Sequence, residues 1–169
     1  MTRCVRLQNN TRMKIRRNIF LVLTVLWMCL IFSFSARTAD VSTNDSHMIG
    51  RKIGQIFLPG FEKQSEKEQE RFAKKIDHPI RKSAHFIEYA ILGIFLSGTL
   101  AGSMKNRQTE LVVSWMTGTI YAASDEFHQL FVAGRSGQIL DVMLDSTGVL
   151  AGVFLAVILT ALLRKKKRG

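Results

Sequence analysis

The chain has 169 residues, with 24 lysine and arginine residues against 13 aspartate and glutamate residues, so its formal charge is +11. Its mean hydropathy is nevertheless positive, at +0.10. A soluble basic protein would be hydrophilic on average, so the apolar residues must be grouped in blocks with the charges between them. The length allows one domain or a few membrane spans and excludes a large multidomain enzyme.

The first apolar run covers residues 19–36 and carries no charge across eighteen residues, which is about the length needed to cross the hydrocarbon core of a bilayer. Four basic residues lie shortly before it. They are Arg12, Lys14, Arg16 and Arg17. Two interpretations stay open: a retained membrane anchor, which we favour, or a signal peptide cleaved after residues 33–35.

Three further apolar runs cover residues 84–101, 111–131 and 139–163, and each carries ionisable residues near one end. These residues are His85 and Glu88 in the second run, Asp125, Glu126 and His128 in the third, and Asp141 and Asp145 in the fourth. The sequence therefore predicts an all-α polytopic membrane protein, a bundle of four transmembrane helices.

Basic residues predict the orientation of this bundle. Six precede the first run, five follow the fourth, and two lie in the link 102–110. By the positive-inside rule, both termini and this link are cytoplasmic. The predicted organisation is a cytoplasmic tail (1–18), a first transmembrane helix (19–36), an external segment (37–83), a core of three transmembrane helices (84–163) and a second cytoplasmic tail (164–169).

The external segment predicts one amphipathic surface helix, from Glu62 to Ile76. Ser65 and Glu68 have the spacing of a capping box, and Glu70 and Lys74 have the spacing of a helical ion pair. The two cysteines, Cys4 and Cys29, are predicted to be free thiols, because one lies in a basic tail and the other inside an apolar run.

In this topology the polar ends of three helices meet in the outer leaflet. An ionisable residue facing lipid at the bilayer centre costs roughly 2.5 to 3.5 kcal/mol, so these groups are expected to face inward. Small residues on the same helical stripes predict close helix packing at Gly93, Gly118, Gly148 and Gly152. The predicted polar pocket contains His85, Glu88, Tyr89, Ser124, Asp125, Glu126, Gln129, Arg135 and Asp141.

The acidic residues of this pocket would repel one another without cations nearby. The available cations, and therefore the candidate anion-binding residues, are Arg81, Lys82 and Arg135. An alternative is that the polar helix ends only form hydrogen bonds with headgroups and water. The first run has no polar stripe, and is predicted to be a peripheral anchor.

Two stretches of the sequence carry a resemblance to a known family. They are RKSAHFIEYAILG, residues 81–93, and YAASDEFHQLFVAGRSGQILDVMLDSTGVLAG, residues 121–152. They resemble the VanZ-like family of small bacterial membrane proteins, named for a member associated with teicoplanin resistance. A departure is Ala133, where members often have proline before Gly-Arg. The resemblance implies a multi-pass protein of the bacterial cell membrane and supplies no settled biochemical activity.

The leading functional hypothesis is an outward-facing pocket that recognises an envelope lipid or a lipid-linked cell-wall component, with an effect on glycopeptide sensitivity. The planar guanidinium groups of Arg81 and Arg135 match the geometry of an anionic phosphate group. No nucleic-acid partner is expected, because the basic residues cluster where the cytoplasmic edges of spans need them. No cofactor is expected, and a metal is disfavoured because the histidines lack recognised ligand spacing.

Two alternatives stay open. The first is a membrane enzyme acting on a lipid headgroup, with His85 as proton carrier beside Glu88 or Glu126. A less favoured version holds a metal on His85, His128, Asp125 and Asp141. The second is an assembly partner that forms a homo-oligomer through Gly148 and Gly152, although the same face equally suits packing inside one chain.

Overall fold

The structure is a computed structural model that describes the backbone of residues 2–166 and the side chains of residues 11–163 and Lys165. Every regular element in this part of the chain is helical. In chain order they are α1 (Thr2–Ser35), α2 (Ala39–Phe57), a short 3₁₀ helix (Phe61–Lys63), α3 (Glu66–Leu100), α4 (Arg107–Gln129) and α5 (Ile139–Lys166). The predicted all-α class is confirmed.

Three of the described helices are long and apolar enough to cross a membrane: Thr11–Ser35, Glu66–Leu100 and Ile139–Leu163. These correspond to the first, second and fourth predicted spans. Helix α4 is not among them, because polar residues such as Ser114, Asp125, Glu126 and His128 lower its mean hydropathy. A membrane protein with several apolar helices is therefore supported, and the fourth span and the orientation stay predictions.

The predicted surface helix begins later and ends much later than expected. Residues Phe61–Lys63 form a 3₁₀ turn, and α3 starts at Glu66. Its capping box is present, with Ser65 Oγ accepting from the Glu68 N–H at 3.4 Å and Glu68 Oε2 accepting from the Ser65 N–H at 3.0 Å. The helix then continues without a break into the second predicted span.

Helix α3 is therefore one rod of 35 residues, roughly 52 Å long at 1.5 Å per residue. A hydrocarbon core is only about 30 Å thick, so the first half of α3 extends beyond it. Helix α2, which was not predicted, packs on this half. Ser46 donates a hydrogen bond to Asp77, and Arg51 binds Glu70 at 2.8 Å.

Glycines allow α5 to pack closely against α3 and α4. A Cβ atom added to Gly93 would lie 2.2 Å from the Val149 carbonyl oxygen, and one added to Gly118 would lie 2.5 Å from Val149 Cγ1. Val149 itself is fully buried between them. Any larger residue at Gly93 or Gly118 would force the helices apart.

The face of α5 that carries Gly148 and Gly152 also packs inside the chain. Added Cβ atoms would lie 2.6 Å from the Phe86 carbonyl oxygen and 1.8 Å from the Ala90 carbonyl oxygen. Both carbonyl groups belong to α3. This face is consequently covered within a single copy of the chain.

Helix α1 lies at the edge of the bundle, with Leu26 among its exposed apolar side chains. It is more than an anchor, because its other face enters the core. Ile31 is buried, and Trp27 Nε1 donates to the Glu88 carbonyl oxygen of α3 at 2.8 Å. Cys29 is an exposed free thiol, whereas the thiol of Cys4 lies outside the described side chains.

Candidate functional site

A buried hydrogen-bond network joins the ends of α1 and α4. Ser35 Oγ donates to Asp125 Oδ2 at 2.7 Å. Gln129 Nε2 donates to Ser35 Oγ at 2.7 Å and makes a longer contact of 3.4 Å with Asp125 Oδ2. All three side chains are buried, so the network determines how the two helix ends meet.

Arg135 reaches this network from the loop between α4 and α5. Gly134, with φ of 75°, supplies the left-handed turn that precedes it. The Ala39 N–H donates to the Ala133 carbonyl oxygen at 3.2 Å, so the loop is tied to the start of α2. In this way the backbone around Ala133 is held without the proline common in VanZ-like proteins.

Among the described residues, the guanidinium of Arg135 forms hydrogen bonds with two neutral acceptors. Nε donates to the Arg37 carbonyl oxygen at 3.1 Å, and Nη1 donates to Gln129 Oε1 at 3.4 Å. Burial lowers the pKa of Arg135 and the positive charge of Arg81 lowers it further, whereas the carboxylates of Asp125, Glu126 and Glu88 act in the opposite direction. An arginine side chain nevertheless keeps its charge, so a half-buried cation lies here.

Two cavities adjoin this cation, and we call them together the polar chamber. Their volumes are about 420 Å³ and about 200 Å³, and Arg81, His85 and Arg135 line both. The larger cavity also has Glu88 on its polar side and an apolar wall. That wall is formed by Phe34, Met48, Ile49, Ile80 and Ala84.

The other basic side chains of the chamber have acidic partners. Arg37 binds Asp45 at 2.7 Å and Arg81 binds Asp77 at 2.7 Å. Lys82 forms an ion pair with Asp141. Among the described residues, Arg135 has no such carboxylate partner, and this distinguishes it from the arginines and lysine around it.

Several buried polar atoms have no hydrogen-bond partner within the described part of the chain. They are His85 Nδ1, Tyr89 Oη, Asp125 Oδ1, His128 Nε2 and both carboxylate oxygens of Asp145. Buried polar groups in folded proteins are ordinarily hydrogen-bonded. Of these residues, His85 lines both cavities, so a polar group bound there, water included, would give its Nδ1 atom a partner.

A sequence model of the VanZ/LLP1 family matches residues 20–160. The chain belongs to the VanZ/LLP1 family. The matched range contains every residue that lines the polar chamber. No curated protein and no solved structure matches the chain.

In this VanZ/LLP1 protein most of the predicted pocket residues lie around one chamber. His85, Glu88 and Arg135 line the larger cavity, and Gln129 and Asp141 line the smaller one. The predicted anion-binding residues, Arg81, Lys82 and Arg135, all line at least one of the two cavities.

The remaining predicted residues are arranged differently. Tyr89 and Asp125 are buried and line neither cavity. Glu126 Oε2 accepts a hydrogen bond from the Gln138 N–H at 3.0 Å, so it caps the start of α5. Ser124 is exposed and donates to the Tyr121 carbonyl oxygen at 2.7 Å, so it does not join the chamber.

The metal alternative finds no support in this geometry. No group of three histidine, cysteine, aspartate or glutamate side chains among the described residues is arranged to hold a metal ion. His128 stacks against Phe32 with ring centroids 4.5 Å apart, and Asp141 pairs with Lys82. These two members of the suggested ligand set therefore have other contacts.

The sequence did not point to two contributors to the site in this VanZ/LLP1 protein. One is Ser35, at the end of an apolar run that has no other signal of a site. The second is α2, which supplies Ser46, Met48 and Ile49 to the larger cavity. A signal for α2 exists in the sequence, since Ser46, Gly50 and Gly54 are small, buried and spaced by four.

Proposed function

We propose that this VanZ/LLP1 protein is a multi-pass membrane protein whose polar chamber binds the anionic headgroup of an envelope lipid or of a lipid-linked cell-wall component. The observation that carries the proposal is the position of the Arg135 guanidinium. This half-buried group lines both cavities, and its hydrogen bonds within the described chain go to two neutral oxygens. Burying a charge is costly unless an opposite charge pairs with it. The carboxylates of Asp125, Glu126 and Glu88 act on Arg135 but form no ion pair with it among the described residues, so an anion in the chamber would supply a direct partner.

The walls of the chamber favour an amphiphile over a free anion. The lining of the larger cavity combines Arg81 and Arg135 with apolar side chains such as Ile49 and Phe34. Guanidinium groups bind phosphate through paired hydrogen bonds. A phosphate headgroup on the basic side and the start of an acyl or isoprenoid chain on the apolar side would satisfy both.

The proposal places the chamber at the outer leaflet of a bacterial cell membrane, with both termini and residues 102–110 cytoplasmic. It also makes α4 a fourth transmembrane helix. Helix α4 has 23 residues, roughly 34 Å, which exceeds the thickness of the hydrocarbon core. Its exposed apolar side chains, which include Met116, Ile120 and Phe127, support contact with lipid along its length.

Copurified lipid tests the proposal. We expect wild-type protein, extracted in mild detergent, to retain anionic envelope lipid that Arg135→Ala loses. Arg135→Lys keeps the charge but not the planar donor fork, so it should retain an intermediate amount. The matched control is Lys52→Ala, which removes an exposed cation of α2 that does not line the chamber. Equal lipid content and profile in wild type and Arg135→Ala would refute the proposal.

An effect on glycopeptide sensitivity follows if the ligand is a lipid-linked cell-wall component. We propose that expression of the wild-type chain shifts the teicoplanin concentration that inhibits a bacterial host, and that Arg135→Ala abolishes the shift. The two proteins should reach the membrane in equal amounts, as measured by immunoblotting. If Arg135→Ala gives the same shift in inhibitory concentration as wild type, the effect on teicoplanin sensitivity does not require the polar chamber.

A second candidate function is headgroup chemistry, and it is favoured by His85. This side chain lines the larger cavity together with Glu88, and its Nδ1 is buried without a partner. A histidine and a carboxyl group at one cavity suit general acid and base roles. Incubation with headgroup-labelled lipids, using His85→Gln as the control, tests it: release of label by wild type alone would favour catalysis over binding.

A further inference from the structure

A second cavity lies at the opposite end of the bundle, between α1 and α5 with α3 as its floor. Its volume is about 490 Å³, and most of its lining is apolar or small. Ser97 of the floor is twelve positions from His85 along α3, roughly 18 Å along a helix axis. The lining includes Phe20, Ile94, Ser97, Gly98, Leu159 and Leu163. We call it the inner groove.

Two arginines lie at the mouth of the inner groove. Arg16 of α1 and Arg107 at the start of α4 both line it, and both are exposed. Arg107 Nη1 contacts Glu110 Oε2 at 3.1 Å, whereas Arg16 has no ion pair among the described residues. Two positive charges therefore share one mouth with a single carboxylate beside them.

The mouth lies where the apolar part of the bundle ends. The apolar run of α1 begins at Ile19, three positions after Arg16, and that of α5 ends at Leu163. Charged side chains at such a boundary lie at the depth of lipid headgroups. From this mouth the groove follows α5 back to Ala156, a depth of roughly 10 Å along the helix axis.

We propose that the inner groove is a binding site for an anionic glycerophospholipid. Its phosphate lies between Arg16 and Arg107, and one acyl chain runs along Phe20 and Leu159 over the small residues of α3. Basic pockets between transmembrane helices bind anionic headgroups in this way. The site uses none of the residues of the polar chamber and does not depend on the function proposed for it.

Native mass spectrometry of the full chain in uncharged detergent tests the proposal, with phosphatidylglycerol and phosphatidylcholine as probes. We expect tighter binding of phosphatidylglycerol, and a loss of about fivefold in its affinity on Arg16→Gln. The matched control is Arg17→Gln, which removes the same charge from an exposed neighbour that does not line the groove. The polar chamber is identical in these proteins, so its contribution cancels.

A second variant distinguishes lipid binding inside the groove from lipid binding to a patch of surface charge. Ala101→Leu adds bulk at a lining position and leaves every arginine in place. We expect it to weaken phosphatidylglycerol binding as well. The proposal is overturned if both lipids bind equally, if Arg16→Gln and Arg17→Gln have equal effects, or if Ala101→Leu binds like wild type.

Discussion

Ser35 on α1 and Asp125 on α4 are 90 positions apart in the chain and share a buried hydrogen bond of 2.7 Å. The side chains are 1% and 2% exposed, respectively, so water does not compete for the bond. Ser35 also accepts from Gln129 at 2.7 Å. One hydroxyl group therefore uses both its donor and its acceptor capacity to hold α1 against the polar end of α4.

The first prediction concerns this hydroxyl. Ser35→Ala should lower the free energy of unfolding by about 1 to 3 kcal/mol, because it leaves Asp125 and Gln129 buried with a partner missing. The measurement is the apparent melting temperature of the purified protein in detergent. Ser33→Ala is the control, since Ser33 donates only to Cys29 of its own helix at an exposed position. Equal melting temperatures for the two variants would contradict the role given to Ser35.

The ion pair between Lys82 and Asp141 links α3 to the start of α5. The side chains are 26% and 23% exposed, so removal of one partner leaves a partly desolvated charge. We expect Lys82→Met and Asp141→Asn each to cost roughly 1 to 3 kcal/mol of stability. The double variant should cost less than the sum of the two, as measured by a double-mutant cycle. Additive effects would show that the pair contributes nothing.

Much of this architecture is visible in the sequence because it depends on local patterns. The capped start at Ser65 and the small-residue stripe through Gly148 and Gly152 are short-range signals, and both have the expected contacts. The placement of His85 and Arg135 at one chamber follows from the alternating direction of successive helices, which brings the start of the second apolar run and the loop after the third to the same end of the bundle. Orientation in the membrane remains a prediction from basic residues.

What the sequence does not reveal depends on partners distant in the chain. Helix α2 carries small residues at Ser46, Gly50 and Gly54, but the sequence does not show what this face packs against. The structure places it on α3, where Ser46 donates a hydrogen bond to Asp77. Ser35 resembles any serine at the end of an apolar run until α4 brings Asp125 to it. The ion pair between Lys82 and Asp141 was equally hidden, because the two residues are 59 positions apart in the chain.

Close packing of α5 on α3 predicts an unusually strong effect of one added methyl group. Gly152→Ala places its Cβ within 1.8 Å of the Ala90 carbonyl oxygen unless the helices move, so we expect a loss of about 1 to 3 kcal/mol. Thermal unfolding in detergent measures it. Ala151→Val adds carbon atoms at the exposed neighbouring position and should change stability little. Equal losses would mean that bulk anywhere on this helix matters.

The predicted orientation can be tested with single cysteines in a Cys4→Ser, Cys29→Ser background. Gln55→Cys lies on the exposed part of α2, and Ser103→Cys lies in the link before α4. A maleimide that does not cross membranes should label Gln55→Cys in intact cells and Ser103→Cys only after lysis. Labelling in the reverse order would invert the topology and move the polar chamber to the cytoplasmic side.

Asp145 and Asp125 are equally buried but differ in their hydrogen bonds. Both side chains are nearly inaccessible, yet Asp125 Oδ2 accepts from Ser35, whereas neither carboxylate oxygen of Asp145 has a hydrogen-bond partner within the described chain. A buried polar group without a partner costs stability, and its removal is neutral or favourable.

We therefore expect Asp145→Ala to leave the melting temperature unchanged or to raise it, whereas Asp125→Ala should lower the free energy of unfolding by about 1 to 3 kcal/mol. The two substitutions remove the same side chain from buried sites, so each serves as the other's control. If Asp145→Ala destabilises as strongly as Asp125→Ala, then Asp145 has a partner in the membrane that the chain itself does not supply. Water or a bound headgroup would be that partner, and the loss would then depend on the lipid present during the measurement.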